Sequence, residues 1–342
     1  MRNIVYICNG VKTMNVAVMG ATGYAGQELV RRIKRHPRWS LVAATARAEA
    51  GESLADWYQR SDFENVFVPL EAMVQYHPDL VFNALPHQAA TREVHQLATE
   101  GIRVIDLSAD FRFSNQARYE SVYGSHPAPD ALKMATTGYA DDPSMDYGDA
   151  RIVGNPGCYP TAFFTLMGPV RKAGITVERV MVDGKSGVTG AGRHARVSLL
   201  MGEMAENVES YSGPGQHRHT AEMEAASGAQ VVFQPHLMPM ARGMLVTVYW
   251  PNPPVSAPEV YARWQEFYAG NPFVEILPSG RAPRTGRVRG TNRIEIMAME
   301  DVRGGSMVLI AAQDNLGKGA AGQAMQHANR WNGDAPDLGL MD

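Results

Sequence analysis

A glycine-rich loop between an apolar run and a helical pattern restricts the fold more than any other feature of this chain. Asn15–Met19 has the apolar character of a buried strand, and Tyr24–Arg35 carries apolar residues three and four apart, as one face of a helix requires. Gly20, Gly23 and Gly26 stand at the junction. Glycines there let the backbone turn sharply and approach a pyrophosphate, whose charge the free N–H groups of a helix start stabilise. The spacing therefore predicts a dinucleotide-binding loop.

Strand and helix patterns alternate through the rest of the first half. The apolar runs at 41–45, 80–84 and 103–107 are typical of strands, and 89–100 has the pattern of a helix. This succession favours the dinucleotide interpretation over an ordinary glycine-rich turn, which the G-x-x-G-x-x-G spacing alone would also suit. Apolar strands connected by helices predict an α/β fold with a Rossmann-type, doubly wound parallel sheet.

A different pattern begins at about Pro156. A helix is predicted over 159–173, and longer β-rich runs follow it between loops rich in Gly and Pro. These runs are 177–182, 244–250, 294–299 and 307–311. The pattern favours an α+β domain with a mostly antiparallel sheet, followed by a last helix over 318–331. Residues 1–13 precede the first strand and are predicted to be an unstructured extension with no assigned role.

The composition excludes several classes of protein. With 342 residues, 45% of them apolar and 20% charged, the chain suits two globular domains rather than a disordered segment. Its 32 Lys and Arg nearly balance its 35 Asp and Glu, and a net charge of −3 gives no general attraction to nucleic acid or to anionic membranes. We find no apolar run long enough to span a bilayer and no secretory signal at the start. Two cysteines, Cys8 and Cys158, are too few for a disulfide framework, so the cytoplasm is the expected compartment.

The end of the second predicted strand indicates which dinucleotide is bound. A carboxylate about 20 residues beyond the glycine loop would bind the ribose 2′-hydroxyl of NAD(H) and repel a 2′-phosphate. Thr45 and Arg47 stand there instead, and a hydroxyl together with a guanidinium suits a phosphate. We therefore predict NADP(H). The alternative is that Arg47 is an ordinary solvated charge.

Cys158 is the candidate nucleophile. It lies between a short predicted strand, 151–153, and the predicted helix, within Gly154–Thr161, a segment rich in Gly and Pro. A thiol at a helix N-terminus meets unpaired N–H groups and the positive end of the dipole, so we expect a stabilised thiolate and a site for an oxyanion. A buried structural cysteine is the alternative. Cys8 has no comparable surroundings, and we expect it to have no role.

A pair of histidines supplies the candidate acid and base. His217 and His219 are followed closely by Glu222. If a helix begins near Thr220, that glutamate lies in its first turn and can orient the His219 ring. A histidine beside a cysteine nucleophile is a common catalytic arrangement. One alternative is a pair of surface histidines; the other is half a metal site, but no further clustered His or Cys completes it, so no metal is predicted.

Two arginines are candidates for binding the anionic groups of a substrate. Arg112 follows the strand at 103–107, at the end where open α/β sheets bind ligands. Arg193 ends the glycine-rich loop Gly187–Arg193, which is flexible enough to close over a substrate. Ordinary surface ion pairs are the alternative for both. Together with Asn155, in the segment around the cysteine, they form the predicted substrate-binding set.

These motifs resemble those of the N-acetyl-γ-glutamyl-phosphate reductases, a family within the aspartate-semialdehyde dehydrogenase superfamily. The resemblance runs from about Met14 to Trp331, and its cysteine and C-terminal motifs are the most specific. The segments that carry it are Gly20–Gly26, Leu85–His87, Ser108–Arg112, Gly154–Thr161, Ser186–Arg193, His217–Glu222, Gly290–Arg293 and Asp314–Gln323.

The resemblance implies a reaction of arginine biosynthesis. Cys158 would attack the acyl phosphate, phosphate would leave, and NADPH would reduce the resulting thioester to the aldehyde. His219 would move the protons, with His217 as the other candidate. Asn315 is implied to lie near the nicotinamide. The complete predicted cofactor-binding set is Gly20, Thr22, Gly23, Tyr24, Ala25, Gly26, Thr45, Arg47, Leu85, Pro86, Ser108 and Asn315.

The resemblance also implies a domain organisation in which the last helix returns to the cofactor domain. We therefore expect an NADP-binding Rossmann domain of residues 14–155 and 315–342. Residues 156–314 would form a catalytic domain whose sheet builds a homodimer or homotetramer.

Two alternatives to this function remain. The family usually has proline where Ala221 stands, and alanine there also occurs in enzymes similar to the lysine-pathway reductases, which act on an aminoadipyl phosphate. The other alternative is a noncatalytic NADP(H)-sensing protein that uses Cys158 as a redox switch.

Overall fold

The computed structural model describes residues 14–193, 196–213 and 215–341, and its first part is a parallel sheet. The strands are β1 (Met14–Met19), β2 (Trp39–Ala44), β3 (Leu80–Asn83), β4 (Arg103–Asp106), β5 (Ala135–Thr137) and β6 (Ile152–Gly154). The helices are α1 (Tyr24–Arg35), α2 (Leu54–Tyr58), α3 (Thr91–Thr99) and α4 (Gln116–Tyr123). The six strands lie in the order β2-β1-β3-β4-β6-β5, and every neighbouring pair is parallel.

This sheet is buried on both faces, as a parallel sheet with crossover helices requires. Val16 and Val18 of β1 share one apolar core with Leu29 of α1. Ala17, whose side chain points to the opposite face, shares another core with Val94 of α3. Helix α1 has the bounds that its apolar spacing predicts. The Rossmann-type fold predicted for the first half is confirmed.

A seven-stranded mixed sheet forms the second part. Its strands are β7 (Arg179–Gly187), β8 (Glu209–Ser210), β9 (Gln230–Met238), β10 (Met244–Pro251), β11 (Val274–Ile276), β12 (Ile294–Glu300) and β13 (Ser306–Gln313). The helices of this half are α5 (Cys158–Lys172), α6 (Met201–Met204), α7 (His219–Ser227), α8 (Ala257–Phe267) and α9 (Thr285–Val288). The order is β11-β12-β13-β10-β7-β9-β8, in which only the β11–β12 and β7–β9 pairs are parallel. The predicted mostly antiparallel sheet is confirmed.

Helix α5 is the centre of the second core. Every residue from Tyr159 to Val170 is buried, because the helix packs on the sheet with one side and on α8 with another. Trp264 of α8 and Tyr268, the residue that follows this helix, donate hydrogen bonds to carbonyl groups of α5. The first residue of this buried helix is Cys158, so its backbone is held by the surrounding core.

The chain returns to the first sheet after β13. Gly317–Ala321 form a π-helical turn, and α10 (Gly322–Trp331) follows. Ala321, Ala324 and Met325 lie in the same core as β1 and α1. This last segment therefore completes the first core and connects it to the end of β13.

A network of charged side chains also joins the two parts. Arg242, which precedes β10, forms ion pairs with the fully buried Asp314 and with Glu28 of α1. Glu28 also pairs with Arg32, whose guanidinium donates to the carbonyl of Gly290 at 2.6 Å. Helix α1 is thus attached to loops at one end of the second sheet, where β10 and β12 begin and β13 ends.

Residues 1–13, predicted as an extension and containing Cys8, lie outside the described residues. Within the ranges that the structure describes, none of the helices combines the length and the apolar character needed to cross a membrane.

Candidate active site

Cys158 lies where β6 ends and α5 begins. Gly157 is the N-cap of α5, and the thiol is half-buried beside the helix start. The backbone N–H groups of Cys158 and Tyr159 lower its pKa, as does the positive charge of Arg112, but burial outweighs them and raises the pKa to about 11. The expected stabilised thiolate is therefore wrong for this state, and the sulfur needs a base to become a nucleophile.

Arg112 supplies the positive charge next to the thiol. Its Nη1 donates to Glu222 Oε1 at 3.0 Å and lies 3.2 Å from His219 Nε2. Its Nε and Nη2 donate to the carbonyls of Asn155 and Leu107. Burial lowers the pKa of Arg112, but the charge and hydrogen bond of Glu222, together with the Tyr123 and Cys158 side chains, outweigh this effect and the pKa is raised. Four contacts to protein atoms leave one of five N–H groups, so this side chain is a fixed cation rather than the free anion-binding arm that the sequence predicted.

Glu222 links the start of α7 to Gly157, the residue before Cys158. Its Oε2 accepts a hydrogen bond from the backbone N–H of Gly157 at 2.9 Å. The distance from its Oε1 to His219 Nε2 is 3.9 Å, which is too long for the predicted hydrogen bond to the ring. The reason is that α7 begins at His219 itself, not after a Thr220 cap, and the Arg112 guanidinium occupies the carboxylate.

His219 lies directly against the backbone that precedes the sulfur. A Cβ on Gly157 would lie 2.4 Å from His219 Nε2, so only glycine leaves room for the ring there. Since a guanidinium can only donate, Nε2 accepts from Arg112 and the ring proton is on Nδ1, which has no partner among the described residues. Burial, and then the nearby His217 and Arg112, lower the pKa of His219 well below its usual value. The imidazole is therefore neutral and able to accept a proton.

His217 is a neighbour of this ring rather than an equivalent of it. Its Nδ1 accepts a hydrogen bond from the backbone N–H of His219, and the two ring centres are 4.7 Å apart. The ring packs against Tyr159, Tyr211 and Phe233. Burial is the main reason that its pKa falls to about 4. No three His, Cys, Asp or Glu side chains of the described ranges are grouped as metal ligands.

Asn155 is completely buried next to this cluster. Its side-chain Nδ2 donates to the carbonyl of Pro156, whereas Oδ1 has no partner among the described residues. Its backbone carbonyl accepts from Arg112. The structure thus brings six predicted residues together at one place: Cys158, His217, His219, Glu222, Asn155 and Arg112.

Two residues at Cys158 are absent from the predicted set. The side-chain Nε2 of Gln313 donates to the carbonyl of Cys158 at 2.7 Å. A Cβ on Gly319 would lie 2.8 Å from Cys158 Cβ, so the π-helical turn touches the nucleophile. The sequence signal for Gln313 is a glutamine at the end of an apolar strand, because a buried amide requires hydrogen-bond partners within the protein.

The dinucleotide loop has a shape that fits a pyrophosphate. Gly20 has a φ of +75°, and its N–H donates to Thr45 Oγ1 at 3.2 Å. A Cβ on Gly26 would lie 2.2 Å from the carbonyl oxygen of Gly20, so the start of α1 packs directly against the loop and only glycine fits at this position. Gly23 is the N-cap of α1. The loop Gly20–Gly26 and the start of α1 therefore suit the phosphates of a dinucleotide.

The remaining predicted cofactor residues lie around this loop. Leu85 contacts it, because a Cβ on Gly20 would lie 3.0 Å from Leu85 Cδ2. Pro86 next to it is exposed, as is Arg47, while Thr22, Tyr24 and Ala25 are half-buried. The Thr45 hydroxyl accepts a hydrogen bond from the N–H of Gly20. The Ser108 hydroxyl donates to the Asp106 carboxylate and accepts from the N–H of Asp110. Arg47 is thus the exposed phosphate-binding candidate at the end of β2.

Asn315 and Arg193 have unexpected partners. Asn315 Oδ1 accepts from the N–H of Gly243, and its Nδ2 donates to Thr189 Oγ1. Arg193 donates to the carbonyl of Thr22 at 2.9 Å, and its guanidinium lies 4.7 Å from the centre of the Trp57 ring. The structure therefore places Arg193 on the dinucleotide loop, whereas Arg112 lies at Cys158.

Comparison with known proteins shows which families this chain is similar to. The chain matches the family model of the semialdehyde dehydrogenase NAD binding domain over residues 15–132 and that of the semialdehyde dehydrogenase dimerisation domain over residues 158–315. It is 41% identical to an N-acetyl-γ-glutamyl-phosphate reductase of Geobacter metallireducens, over 96% of this chain and 98% of the relative. An Acidithiobacillus ferrooxidans protein of the same name is 40% identical over the same shares.

Solved structures with the same fold have much lower sequence identity. Aspartate semialdehyde dehydrogenase II of Vibrio cholerae superimposes with a TM-score of 0.74 at 16% identity, covering 94% of this chain and 99% of the other. The aspartate semialdehyde dehydrogenase of Candida albicans, solved with NADP, gives a TM-score of 0.71 at 15% identity, covering 95% and 99%.

Proposed function

The chain belongs to the N-acetyl-γ-glutamyl-phosphate reductase family, and from this premise we propose that it reduces N-acetyl-γ-glutamyl phosphate to N-acetylglutamate semialdehyde and phosphate. The observation that carries the proposal is a thiol at the start of a buried helix, beside a neutral imidazole and a fixed guanidinium. A thiol, a base and a cation together are what the transfer of an acyl group from phosphate to sulfur requires.

The first steps of the proposed reaction use the chain's own residues. His219 Nε2 accepts the proton of the Cys158 thiol once the Arg112 N–H has moved off its lone pair, since the imidazole is neutral and the thiol is protonated. The sulfur attacks the acyl carbon, the bond from that carbon to the phosphate oxygen breaks, and phosphate leaves with the proton that His219 carries. Arg112 stabilises the thiolate before the attack.

Bound NADPH would supply the hydride that reduces the thioester. The carbon–sulfur bond then breaks, the aldehyde leaves, and the sulfur becomes a thiolate beside Arg112 again. We assign the pyrophosphate to the loop Gly20–Gly26, the nicotinamide side to Asn315, and the 2′-phosphate to Arg47, because no carboxylate follows β2 at this position. NADP(H) is therefore the proposed dinucleotide.

The proposal extends to substrate binding and assembly. The buried side-chain Oδ1 of Asn155 accepts no hydrogen bond from the described residues. We propose that it accepts one from the substrate. Arg112 has one N–H left for a substrate oxygen, and Arg193 would have to leave Thr22 to reach one. Residues 14–155 and 315–342 form the proposed cofactor domain and 156–314 the catalytic one.

We also propose a homodimer or homotetramer in the cytoplasm. The face of the second sheet away from α5 exposes Met181 of β7 and Tyr249 of β10, each about two-fifths accessible, at 40% and 41%. Apolar side chains on an uncovered sheet face suit a subunit contact. A reducing compartment keeps the catalytic thiol available.

The reverse reaction tests the proposed function. Wild-type protein should reduce NADP⁺, and NAD⁺ more slowly, when given N-acetylglutamate semialdehyde and phosphate. Cys158→Ser keeps the size of the side chain but should lower the rate by about 10³-fold or more, while NADPH binding, measured by fluorescence titration, stays within about twofold.

The two alternatives predict other results. Faster turnover of an aminoadipate semialdehyde would indicate the lysine-pathway substrate, which the names of the relatives do not favour. Cofactor binding without turnover of either aldehyde would indicate a sensing protein and would contradict the proposal.

A further inference from the structure

Gln313 is an unusual residue for its place in the fold. It is the last residue of β13 and has no accessible surface. Its neighbours across the sheet, Ile294 and Met244, are apolar. A long polar side chain in such a position has to satisfy its amide within the protein, because water does not reach it.

The Gln313 amide forms a hydrogen bond with the backbone of Cys158. Nε2 donates to the carbonyl oxygen of Cys158 at 2.7 Å, at the short end of the range for an N–H···O bond. The reverse orientation of the amide would place two oxygen atoms at this distance, so the donor assignment is the only favourable one. The bond joins β13 to the first residue of α5, across 155 residues of sequence.

The other end of the same amide is left without a partner. Gln313 Oε1 is buried and accepts no hydrogen bond from any described residue. An orphaned buried acceptor loses its hydrogen bond to water and gains none in return, so an apolar side chain of similar length would make a more stable strand. The stability of the fold therefore does not account for a glutamine here.

The segment that contains Gln313 also touches Cys158 from a second direction. Gly319 lies so close that a Cβ on it would be 2.8 Å from Cys158 Cβ and 3.2 Å from Gln313 Nε2. Asn315 lies between the two along the chain. The main chain of the nucleophile is thus held by Gln313 while its Cβ is held by the π-helical turn, and together these contacts determine the direction of the Cα–Cβ bond.

We propose that Gln313 is a positioning residue for the thiol: its hydrogen bond fixes the Cys158 carbonyl and with it the direction of Sγ toward the acyl carbon. This inference rests on the proposed function. Gln313 itself contacts no reacting atom, so its removal should slow the attack of sulfur on the acyl phosphate without changing how the substrate binds.

A cofactor-free experiment tests this role. Single-turnover release of phosphate from N-acetyl-γ-glutamyl phosphate measures the acylation of Cys158 alone. Gln313→Met keeps the length of the side chain but has no donor, and we expect an acylation rate about 10- to 100-fold lower. The substrate concentration at half-maximal rate should stay close to that of the wild type, and the melting temperature should be equal or higher, because the orphaned acceptor is removed. Gln234→Met, which removes a half-buried amide of β9, is the matched control and should acylate at the wild-type rate.

Gln313→Glu supplies a readout that a merely structural role would not change. At high pH the introduced carboxylate meets the Cys158 carbonyl with an oxygen and repels it. As the pH falls, protonation gives the carboxyl an O–H that can donate to that carbonyl. The acylation rate relative to wild type should therefore rise as the pH is lowered, whereas the ratio for Gln313→Met should stay constant.

The outcomes separate the two proposals. If the wild type releases no phosphate, the proposed function fails. If the wild type acylates and Gln313→Met does so within twofold, the positioning role alone is wrong. If Gln313→Met does not fold, the pH dependence of Gln313→Glu decides, and a ratio independent of pH overturns the inference.

Discussion

Cys158 experiences opposing effects at a single sulfur atom. Burial raises its pKa to about 11, Arg112 lowers it, and the carboxylate of Glu222 raises it again. Because Glu222 also pairs with Arg112, the cation cannot act at full strength on the sulfur. The thiol is therefore protonated at neutral pH, and in the proposed reaction the neutral His219 beside it accepts its proton.

The raised pKa predicts how the thiol responds to pH. In a Cys8→Ser background, the rate of Cys158 alkylation by iodoacetamide should rise about tenfold per pH unit from about pH 7 to about pH 9, because only the thiolate reacts and its fraction grows until the pH reaches the pKa. Glutathione, an exposed thiol, is the control and should level off near pH 9 to about 10. A plateau for Cys158 below that of glutathione would show that burial does not dominate.

Residue types were easier to predict from the sequence than their contacts. Cys158 and His219 can be selected as candidates from the sequence because a thiol at a helix start and a nearby imidazole are a common catalytic pair. The contacts of Glu222 with Gly157 and Arg112 span 65 and 110 residues of sequence, so no local pattern contains them. The same holds for Gln313.

At the scale of single elements, the junction of β1 and α1 is closely packed. Gly26→Ala would place a methyl group 2.2 Å from the Gly20 carbonyl oxygen and should lower the free energy of unfolding by about 1–3 kcal/mol. Urea denaturation of the cofactor-free protein measures this. Gly202→Ala, in α6, meets no atom within 4 Å and should be neutral or slightly stabilising. Equal denaturation midpoints for both variants would contradict the close packing of loop and helix.

Local patterns predicted most elements but not all. The apolar spacing of α1 and the alternation of strands and helices gave the first sheet, since each signal lies within one element. Strand β9 was not among the predicted runs; it contains Pro235, which weakens a strand pattern. The last helix was predicted from Lys318, but a π-helical turn comes first, because Gly317 packs on the Thr291 carbonyl and Gly319 on Cys158. Such packing is tertiary and has no local signal.

At the scale of the whole molecule, Arg242 connects the cofactor helix with the end of the second sheet. Arg242→Ala would leave the buried Asp314 and Glu28 without this counter-ion and should lower the free energy of unfolding by about 3–5 kcal/mol, because unpaired buried charges are costly. Denaturant titration checks the value. Arg303→Ala breaks an exposed pair with Asp301 and should cost less than about 1 kcal/mol. Similar losses in both variants would mean that the buried network adds little.

The return of the chain to its first sheet has a consequence for synthesis on the ribosome. The core around β1 lacks Ala321, Ala324 and Met325 until the segment that contains the π-helical turn and α10 has left the exit tunnel. The surroundings of Cys158 lack Gly319 for just as long. A nascent chain interrupted before this point carries the Cys158 sulfur without the π-helical turn that packs against it, so we expect the proposed activity only once the segment through α10 has been synthesised.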